Sequence, residues 1–303
     1  MSRIEKYKGI FPAFYACYEE DGTVSPERVR ALTQFYLDKK VKGLYVGGSS
    51  GECIYQTVEE RKIILNNVME VAKGKLTIIA HVACNNTMDS EALAKHAQEV
   101  GVDAIASIPP IYFKLPEDSI LAYWNDISDA APNTDFIIYN IPQLTGVNLS
   151  EGMYRKMMEN KRVVGIKNTS MPAVDMEVFK YIGGSEQVLF NGPDEQFVAG
   201  RAIGADGGIG GTYGIMPELY IKMDEYINAN DFVKAKEMQV DVNRIIFKLC
   251  SNGNMYAIAK EVMKKRGLNI GTTRKPMPGT TSIDKEAIEF CTKAIEDAIA
   301  KYC

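Results

Sequence analysis

Residues 136–169 read FIIYNIPQLTGVNLSEGMYRKMMENKRVVGIKNT, and they contain two short apolar runs separated by a helical stretch. The runs FIIYNIP and VVGIKNT are rich in β-branched and aromatic residues and are too short for helices. The segment EGMYRKMMEN between them has the pattern of an amphipathic helix. Two parallel strands joined by a crossover helix are therefore expected.

The same alternation of strand and helix patterns continues along the chain almost to residue 230. The strand candidates are GIFPAFYACY, GLYVGG, LTIIAHVA, DAIASIPP, FIIYNIP, VVGIKNT, VLFNG and GGIGGTYG. Eight strand and helix pairs in about 230 residues fit a (β/α)₈ TIM barrel better than an open doubly wound sheet. We predict this α/β barrel for residues 1–231. Residues 232–303 contain further helices without strands, and we predict that they form a C-terminal helical extension packed on the barrel within a single domain.

The composition narrows the class of protein. Of the 303 residues, 46% are hydrophobic, which is enough for a sizeable core, and the net charge of -4 includes no basic run that could follow nucleic acid. The chain has no apolar stretch of about 18 residues that could cross a membrane and no secretory signal, so we expect a cytoplasmic protein. The six cysteines are widely spaced without a C-x-x-C pair, which indicates neither a disulfide framework nor a zinc site.

Lys167 stands near the end of the strand candidate VVGIKNT. A period of two sends Lys167 and Thr169 to one face and Val164 and Ile166 to the other. Burial disfavours an ammonium ion and lowers its pKa, which would allow the amine to condense with a ketone. The alternative is that the lysine extends from a strand end into solvent.

Tyr139 precedes Lys167 by twenty-eight residues, close to one strand and helix repeat, so the two are expected on neighbouring strands about 5 Å apart. A phenol at that distance can relay protons to a group attached to the lysine. The alternative is a barrel tyrosine bonded to the backbone. The chain has two histidines and neither lies at a predicted strand end, which disfavours histidine as the acid or base.

Three further segments lie at the ends of other predicted strands, where barrels carry their functional residues. In GGSSGE, residues 47–52, the hydroxyls of Ser49 and Ser50 and nearby N–H groups can hold a small carboxylate, or the glycines serve a tight turn. In NGPDEQF, Asp194 and Glu195 can accept hydrogen bonds from hydroxyls, or they begin a helix. In GADGGIGGTYG, the glycines allow a ligand or another backbone to come close.

Taken together, GGSSGE, YNIP, GIKNTS, NGPDE and GADGGIGGTYG, in this order and spacing, resemble the N-acetylneuraminate lyase branch of the pyruvate aldolases, which also include dihydrodipicolinate synthase. The resemblance covers essentially the whole chain and includes the RKP of residues 274–276. It implies a homotetrameric (β/α)₈ enzyme in which a lysine forms a Schiff base with pyruvate, without a metal or external cofactor. The implied substrates are sialic acid, pyruvate and N-acetylmannosamine.

The resemblance also implies roles for individual residues. Lys167 matches the imine-forming lysine and Tyr139 the proton-relaying tyrosine, while Ser49 and Ser50 match the pair that holds the pyruvate carboxylate. Tyr112 matches a tyrosine that projects into the site of a neighbouring subunit. The positions that match contacts to the sugar chain, or lie in the glycine-rich eighth strand beside them, are Thr169, Gly192, Asp194, Glu195, Gly210 and Gly211.

The chain departs from the family pattern at a few positions. The synthase branch usually carries an arginine where this chain has Leu144, which argues against the synthase. The lyases commonly have a serine at Gly211 and an aromatic residue at Pro193, so one hydroxyl contact and one wall of the sugar pocket differ here. The open alternatives are another pyruvate-dependent aldolase, such as the synthase or a 2-keto-3-deoxy sugar acid aldolase, and a barrel that binds ligands without catalysis.

Overall fold

A computed structural model describes residues 2–303. In this part of the chain, eight parallel strands form one sheet, and each predicted strand is present. The strands are β1 Gly9–Pro12, β2 Gly43–Val46, β3 Thr77–His81, β4 Ala104–Ser107, β5 Asp135–Asn140, β6 Val163–Asn168, β7 Val188–Asn191 and β8 Gly207–Gly210. The prediction of a (β/α)₈ barrel is confirmed.

The sheet closes into a barrel between β1 and β2, the two strands at its ends. Each strand pairs with the next along the chain from β2 to β8, and β8 pairs with β1. Between β1 and β2 the closure rests on a bridge of Ala13 with Tyr45 and on the Lys42 N–H, which donates to the Ile10 carbonyl at 3.1 Å. A Cβ atom at Gly207 would lie 2.1 Å from the Gly9 carbonyl oxygen, so glycine allows this close approach.

Helices surround the barrel, and polar residues at their first turns fix where several of them begin. Ser25, Asn86 and Ser150 each accept a hydrogen bond from the first turn of the helix that follows them, and Thr57 forms a reciprocal cap with Glu60 at the start of its helix. The helices are α1 Pro26–Asp38, α2 Val58–Ala72, α3 Thr87–Val100, α4 Glu117–Ala130, α5 Pro142–Thr145, α6 Glu151–Met158, α7 Ala173–Gly183, α8 Phe197–Ile203, α9 Pro217–Asn228, α10 Phe232–Cys250, α11 Met255–Lys265 and α12 Lys285–Tyr302.

The C-terminal helices α10 to α12 share a hydrophobic cluster with the helices of the barrel. Gln239 of α10 accepts from the Val198 N–H at 3.0 Å and donates to the Asp194 carbonyl at 3.3 Å. The division at residue 231 stays a prediction. Among residues 2–303, no helix has both the length and the apolar character that are needed to cross a membrane.

The amino-terminal end of the barrel is closed by the short turn Glu5–Tyr7. The Tyr7 hydroxyl lies 2.8 Å from the Asp103 carbonyl oxygen and 2.7 Å from the Asp135 carboxylate. Above this plug, a second cluster of buried side chains, including Phe11, Ile137 and Phe190, fills the interior. The carboxyl-terminal end is therefore the place left for a site, as is usual in this fold.

Candidate active site

Lys167 lies one residue before the end of β6 and points into the barrel, where it is 5% exposed. Its Nζ atom lies 4.0 Å from the centre of the Tyr139 ring and 4.6 Å from that of Tyr45. Burial lowers the pKa of the amine to about 7, and the negative charge of Asp194 acts in the opposite direction. A large share of the amine is therefore uncharged at neutral pH.

The rest of β6 does not follow the predicted alternation. Its pairing with β5 shifts between Phe136 and Ile137, which marks a β-bulge. Val164 consequently packs in the cluster inside the barrel, whereas Ile166 packs in the cluster between the strands and the surrounding helices. The prediction that Val164 and Ile166 share a face was wrong, because strict alternation does not continue through a bulge.

Tyr139 lies directly opposite Lys167 in the pairing of β5 with β6. Burial raises the pKa of its phenol, and the hydroxyls of Thr169 and Ser49, which face it, lower that pKa. The phenol is thus protonated at neutral pH and has hydroxyls nearby that can exchange hydrogen bonds with it. The structure brings these four side chains together at the carboxyl-terminal end of the barrel.

His81 is the last residue of β3, so the prediction that no histidine lies at a strand end was wrong. Its ring centre lies 6.1 Å from that of Tyr139. Because Nδ1 is 2.9 Å from the Gly47 carbonyl oxygen, which can only accept, Nδ1 carries the proton. Burial and the charge of Arg61 lower the pKa of His81 to about 3. A neutral imidazole with such a pKa is a poor acid at neutral pH, and Tyr139 remains the better candidate.

Ser49 and Ser50 form a short turn, Ser49–Gly51, that follows β2. A Cβ atom on Gly211 would lie 3.0 Å from Ser50 Oγ, so β8 and this turn meet at the site. Burial raises the pKa of Tyr256 in α11, and the nearby Ser50 hydroxyl lowers it. The strand pattern could not identify Tyr256, because it belongs to the C-terminal helices.

Asp194 is buried, and its Oδ2 atom accepts from the N–H and the hydroxyl of Thr212 at 2.7 and 2.6 Å. Burial raises the pKa of the carboxyl to about 6, while the bonds from Thr212 lower it. A Cβ atom on Gly210 would lie 2.1 Å from Oδ1, so glycine at 210 makes room for the carboxyl group. Glu195 is half-buried, and its carbonyl accepts from Asn243 at 3.1 Å. Asp194 and Glu195 also lie in a short helical turn, Asp194–Gln196, directly before α8. The alternative prediction that these acids begin a helix therefore agrees with their backbone.

Gly192 follows β7 and packs against the end of the neighbouring strand β6. A Cβ atom there would lie 2.0 Å from Thr169 Oγ1 and 2.7 Å from the Asn168 carbonyl oxygen. The hydroxyl of Thr169 therefore occupies the space that any other residue at 192 would need. This packing explains the glycine without requiring a contact to a ligand.

Tyr112 follows β4 and is not brought to Lys167 within one chain. Its side chain is 89% exposed, and its ring contacts Phe113 at a centre-to-centre distance of 5.0 Å. Its backbone has a φ of 87°, a conformation that is uncommon for a residue with a side chain.

An amine with a pKa near neutrality, a phenol, two serine hydroxyls and a carboxyl group thus lie at the mouth of one barrel. Among residues 2–303, no group of three or more His, Cys, Asp or Glu side chains is arranged to hold a metal ion. A model of the dihydrodipicolinate synthetase family matches residues 6–297. The chain belongs to this family.

Members of this family and their solved structures are similar to the chain over nearly its full length. An N-acetylneuraminate lyase of Mediterraneibacter gnavus is 58% identical, with 100% of this chain and 96% of that protein covered. The structure of a catalytic lysine mutant of a Ruminococcus gnavus sialic acid aldolase is 57% identical, with a TM-score of 0.98 and complete coverage of both chains. The structure of an N-acetylneuraminate lyase from Fusobacterium nucleatum complexed with pyruvate is 30% identical, with a TM-score of 0.87 and coverage of 98% and 97%.

Proposed function

We propose that the chain is a carbon-carbon lyase, a Class I aldolase that reversibly cleaves N-acetylneuraminate to N-acetylmannosamine and pyruvate. The observation that carries this proposal is the buried Lys167 amine, whose pKa of about 7 leaves it able to attack a carbonyl carbon. The sialic acid substrate is supported by the 58% identity to an N-acetylneuraminate lyase.

In the proposed reaction, neutral Lys167 adds to the C2 carbonyl of the open-chain sugar, and the resulting carbinolamine takes up a proton and loses water to give an iminium ion. The Tyr139 phenol passes its own proton to the substrate carboxylate as it accepts the proton of the C4 hydroxyl, while the C3–C4 bond breaks and its electrons move into the iminium. N-acetylmannosamine departs as an aldehyde, and the enamine that remains is protonated at C3. Water then hydrolyses the imine, which releases pyruvate and the free amine. The iminium is the electron sink, so no metal or external cofactor is needed in this proposal.

The other site residues take part in the proposal by binding substrate. We assign Ser49 and Ser50 to the carboxylate, and Tyr112 to the proton relay in a neighbouring subunit. Because Thr212 occupies one oxygen of Asp194, the other oxygen, Oδ1, is the one offered to a sugar hydroxyl. The remaining contacts to the sugar chain are proposed for Thr169, Gly192, Glu195, Gly210 and Gly211.

Leu144 favours this function over the synthase reaction. Its apolar side chain is 63% exposed where the synthase branch carries an arginine, so this position offers no cation to the carboxylate of an amino-acid substrate.

The homotetramer belongs to the proposal as well. The exposed Tyr112 and Phe113 offer apolar surface that a neighbouring subunit would cover. Light scattering of the purified protein measures the number of subunits, and a monomer with full activity would refute this part. The cytoplasmic location also remains a prediction, which cell fractionation tests.

The central experiment is reduction with borohydride in the presence of pyruvate. We expect a permanent mass addition at Lys167, and none in the Lys167→Ala variant. Active protein with an unmodified lysine would refute the mechanism. Cleavage of N-acetylneuraminate is then compared with condensation of pyruvate and aspartate semialdehyde, and preference for the latter would refute the substrate.

A further inference from the structure

Glu52 ends the turn that carries Ser49 and Ser50. Its N–H donates to the Ser49 carbonyl at 3.0 Å. Its own backbone has a φ of 53°, in the left-handed region, where a residue with a side chain needs support from its surroundings. The geometry of the serine turn therefore depends on how the Glu52 side chain is held.

The Glu52 side chain is held by the C-terminal part of the chain. Its Oε1 accepts from Lys260 Nζ at 2.6 Å, and its Oε2 accepts from the Arg274 N–H at 2.9 Å. Both members of the Glu52–Lys260 ion pair have side chains that are 0% exposed. Lys260 also donates to the Thr272 carbonyl at 2.8 Å, so both carboxylate oxygens and the ammonium group have defined partners.

A second connection fixes the segment that follows Glu52. The Arg274 guanidinium donates to the Tyr55 carbonyl at 2.9 Å and to Glu60 at 2.6 Å, and it lies 4.4 Å from the centre of the Tyr18 ring. Arg274 is thus bonded to both ends of the turn from Glu52 to Tyr55, through its backbone N–H and its guanidinium group.

Helix α11 reaches the serine turn at two points. Tyr256 and Lys260 are four residues apart, so they lie on the same face of α11. Tyr256 faces the Ser50 hydroxyl, and Lys260 binds Glu52.

We propose that Lys260 is a positioning residue that acts through Glu52 to hold Ser49 and Ser50 in the geometry that binds the substrate carboxylate. Stability alone is a weak reason for such a pair, because replacing a buried ion pair with apolar residues often leaves a protein equally stable. The inference rests on the proposed function, which assigns the carboxylate to the two serines. It gives the C-terminal helices a role in substrate binding.

The test varies the pyruvate concentration during borohydride labelling of Lys167, with the Lys260→Met variant and the Glu52→Gln/Lys260→Met double variant. A misplaced binding group weakens binding strongly, so we expect the half-saturating pyruvate concentration to rise about tenfold or more. The maximal labelling rate is expected to change by less than about threefold, because Lys167 itself is untouched. The double variant removes the unpaired buried charge, so it is expected to recover the melting temperature while its half-saturating concentration stays high.

Arg201→Met is the matched control. Arg201 forms an ion pair with Asp224 at 2.7 Å, with side chains 13% and 14% exposed. Asp224 lines a surface cavity with Gly9 and Thr77, at the amino-terminal ends of their strands and away from the site. The control is expected to lower the melting temperature without changing the half-saturating concentration.

If the double variant had the same half-saturating pyruvate concentration as the wild type, the positioning role would be overturned, since the ion pair would then be dispensable for binding. An equal rise in the Arg201→Met control would also overturn it, because general destabilisation would explain the effect. A wild-type protein that is never labelled would instead overturn the proposed function.

Discussion

Replacing Lys167 with methionine is expected to stabilise the folded protein while abolishing activity. The amine has an ordinary pKa of 10.5 in the unfolded chain and about 7 in the barrel, because burial disfavours its charged form. Folding at neutral pH therefore requires either the loss of a proton or the burial of a charge. Methionine is of similar length and carries no charge, so it avoids this cost.

The size of the effect follows from the two pKa values. One unit corresponds to about 1.36 kcal/mol, so the lysine costs the folded state about 4 kcal/mol at pH 7. Between pH 7 and 10.5 the unfolded chain binds more protons than the folded one, so the wild-type free energy of unfolding rises with pH through this window. The advantage of the variant then falls to about 1 kcal/mol at pH 10.

The measurement is denaturant unfolding of wild type and Lys167→Met at equal protein concentration and at several pH values from 7 to 10. Other groups titrate in both proteins, so the difference between the two free energies of unfolding isolates the lysine. A difference that stays constant across this range would refute the reasoning, because it would mean that the folded protein keeps the lysine protonated.

Three other substitutions test the site. Tyr139→Phe is expected to slow sialic acid cleavage by about 10²-fold or more while pyruvate labelling continues, because the variant loses the proposed relay hydroxyl but keeps the amine. Equal activity in a steady-state assay would exclude the relay. Gly192→Ala is expected to lower the free energy of unfolding by about 1–3 kcal/mol, because the new Cβ atom overlaps Thr169 Oγ1. Adding Thr169→Ala should recover part of that loss in the same denaturant assay. Thr212→Val removes a donor to the Asp194 carboxylate, so the Asp194 pKa should rise by about one unit, as read from the carboxylic acid band in infrared spectra; an unchanged band would contradict the assigned hydrogen bond.

Much of the fold could be predicted from sequence because each strand is short, apolar and followed by a helical segment. The pairing of Tyr139 with Lys167 was predictable for the same reason, since one strand and helix repeat separates them. The bulge that turns Val164 inward could not be predicted, because it depends on how two strands pair rather than on the pattern of either. His81 was missed because the apolar run continues past the point where β3 ends.

The contributions of the C-terminal helices were also beyond prediction. Tyr256 and Lys260 lie in MYAIAKEVMKKRG, which has the pattern of an ordinary amphipathic helix. Their partners, Ser50 and Glu52, are about 200 residues away in sequence, a distance over which no local pattern carries information. Such contacts become visible only when the helix is placed against the barrel mouth.

The pKa of Lys167 depends on Asp194, and that of Asp194 depends on Thr212. An ionised Asp194 attracts the lysine proton and so keeps the amine pKa from falling further, whereas burial of the carboxyl favours its neutral form. The bonds from Thr212 stabilise the carboxylate and therefore support the charge that acts on the lysine. Loss of a Thr212 donor would raise the Asp194 pKa toward that of the amine, so less negative charge would act on Lys167 near neutral pH and its pKa would fall. The pKa of the proposed nucleophile is thus influenced by a threonine at the end of another strand, which has no contact with the reacting carbon in the proposed mechanism.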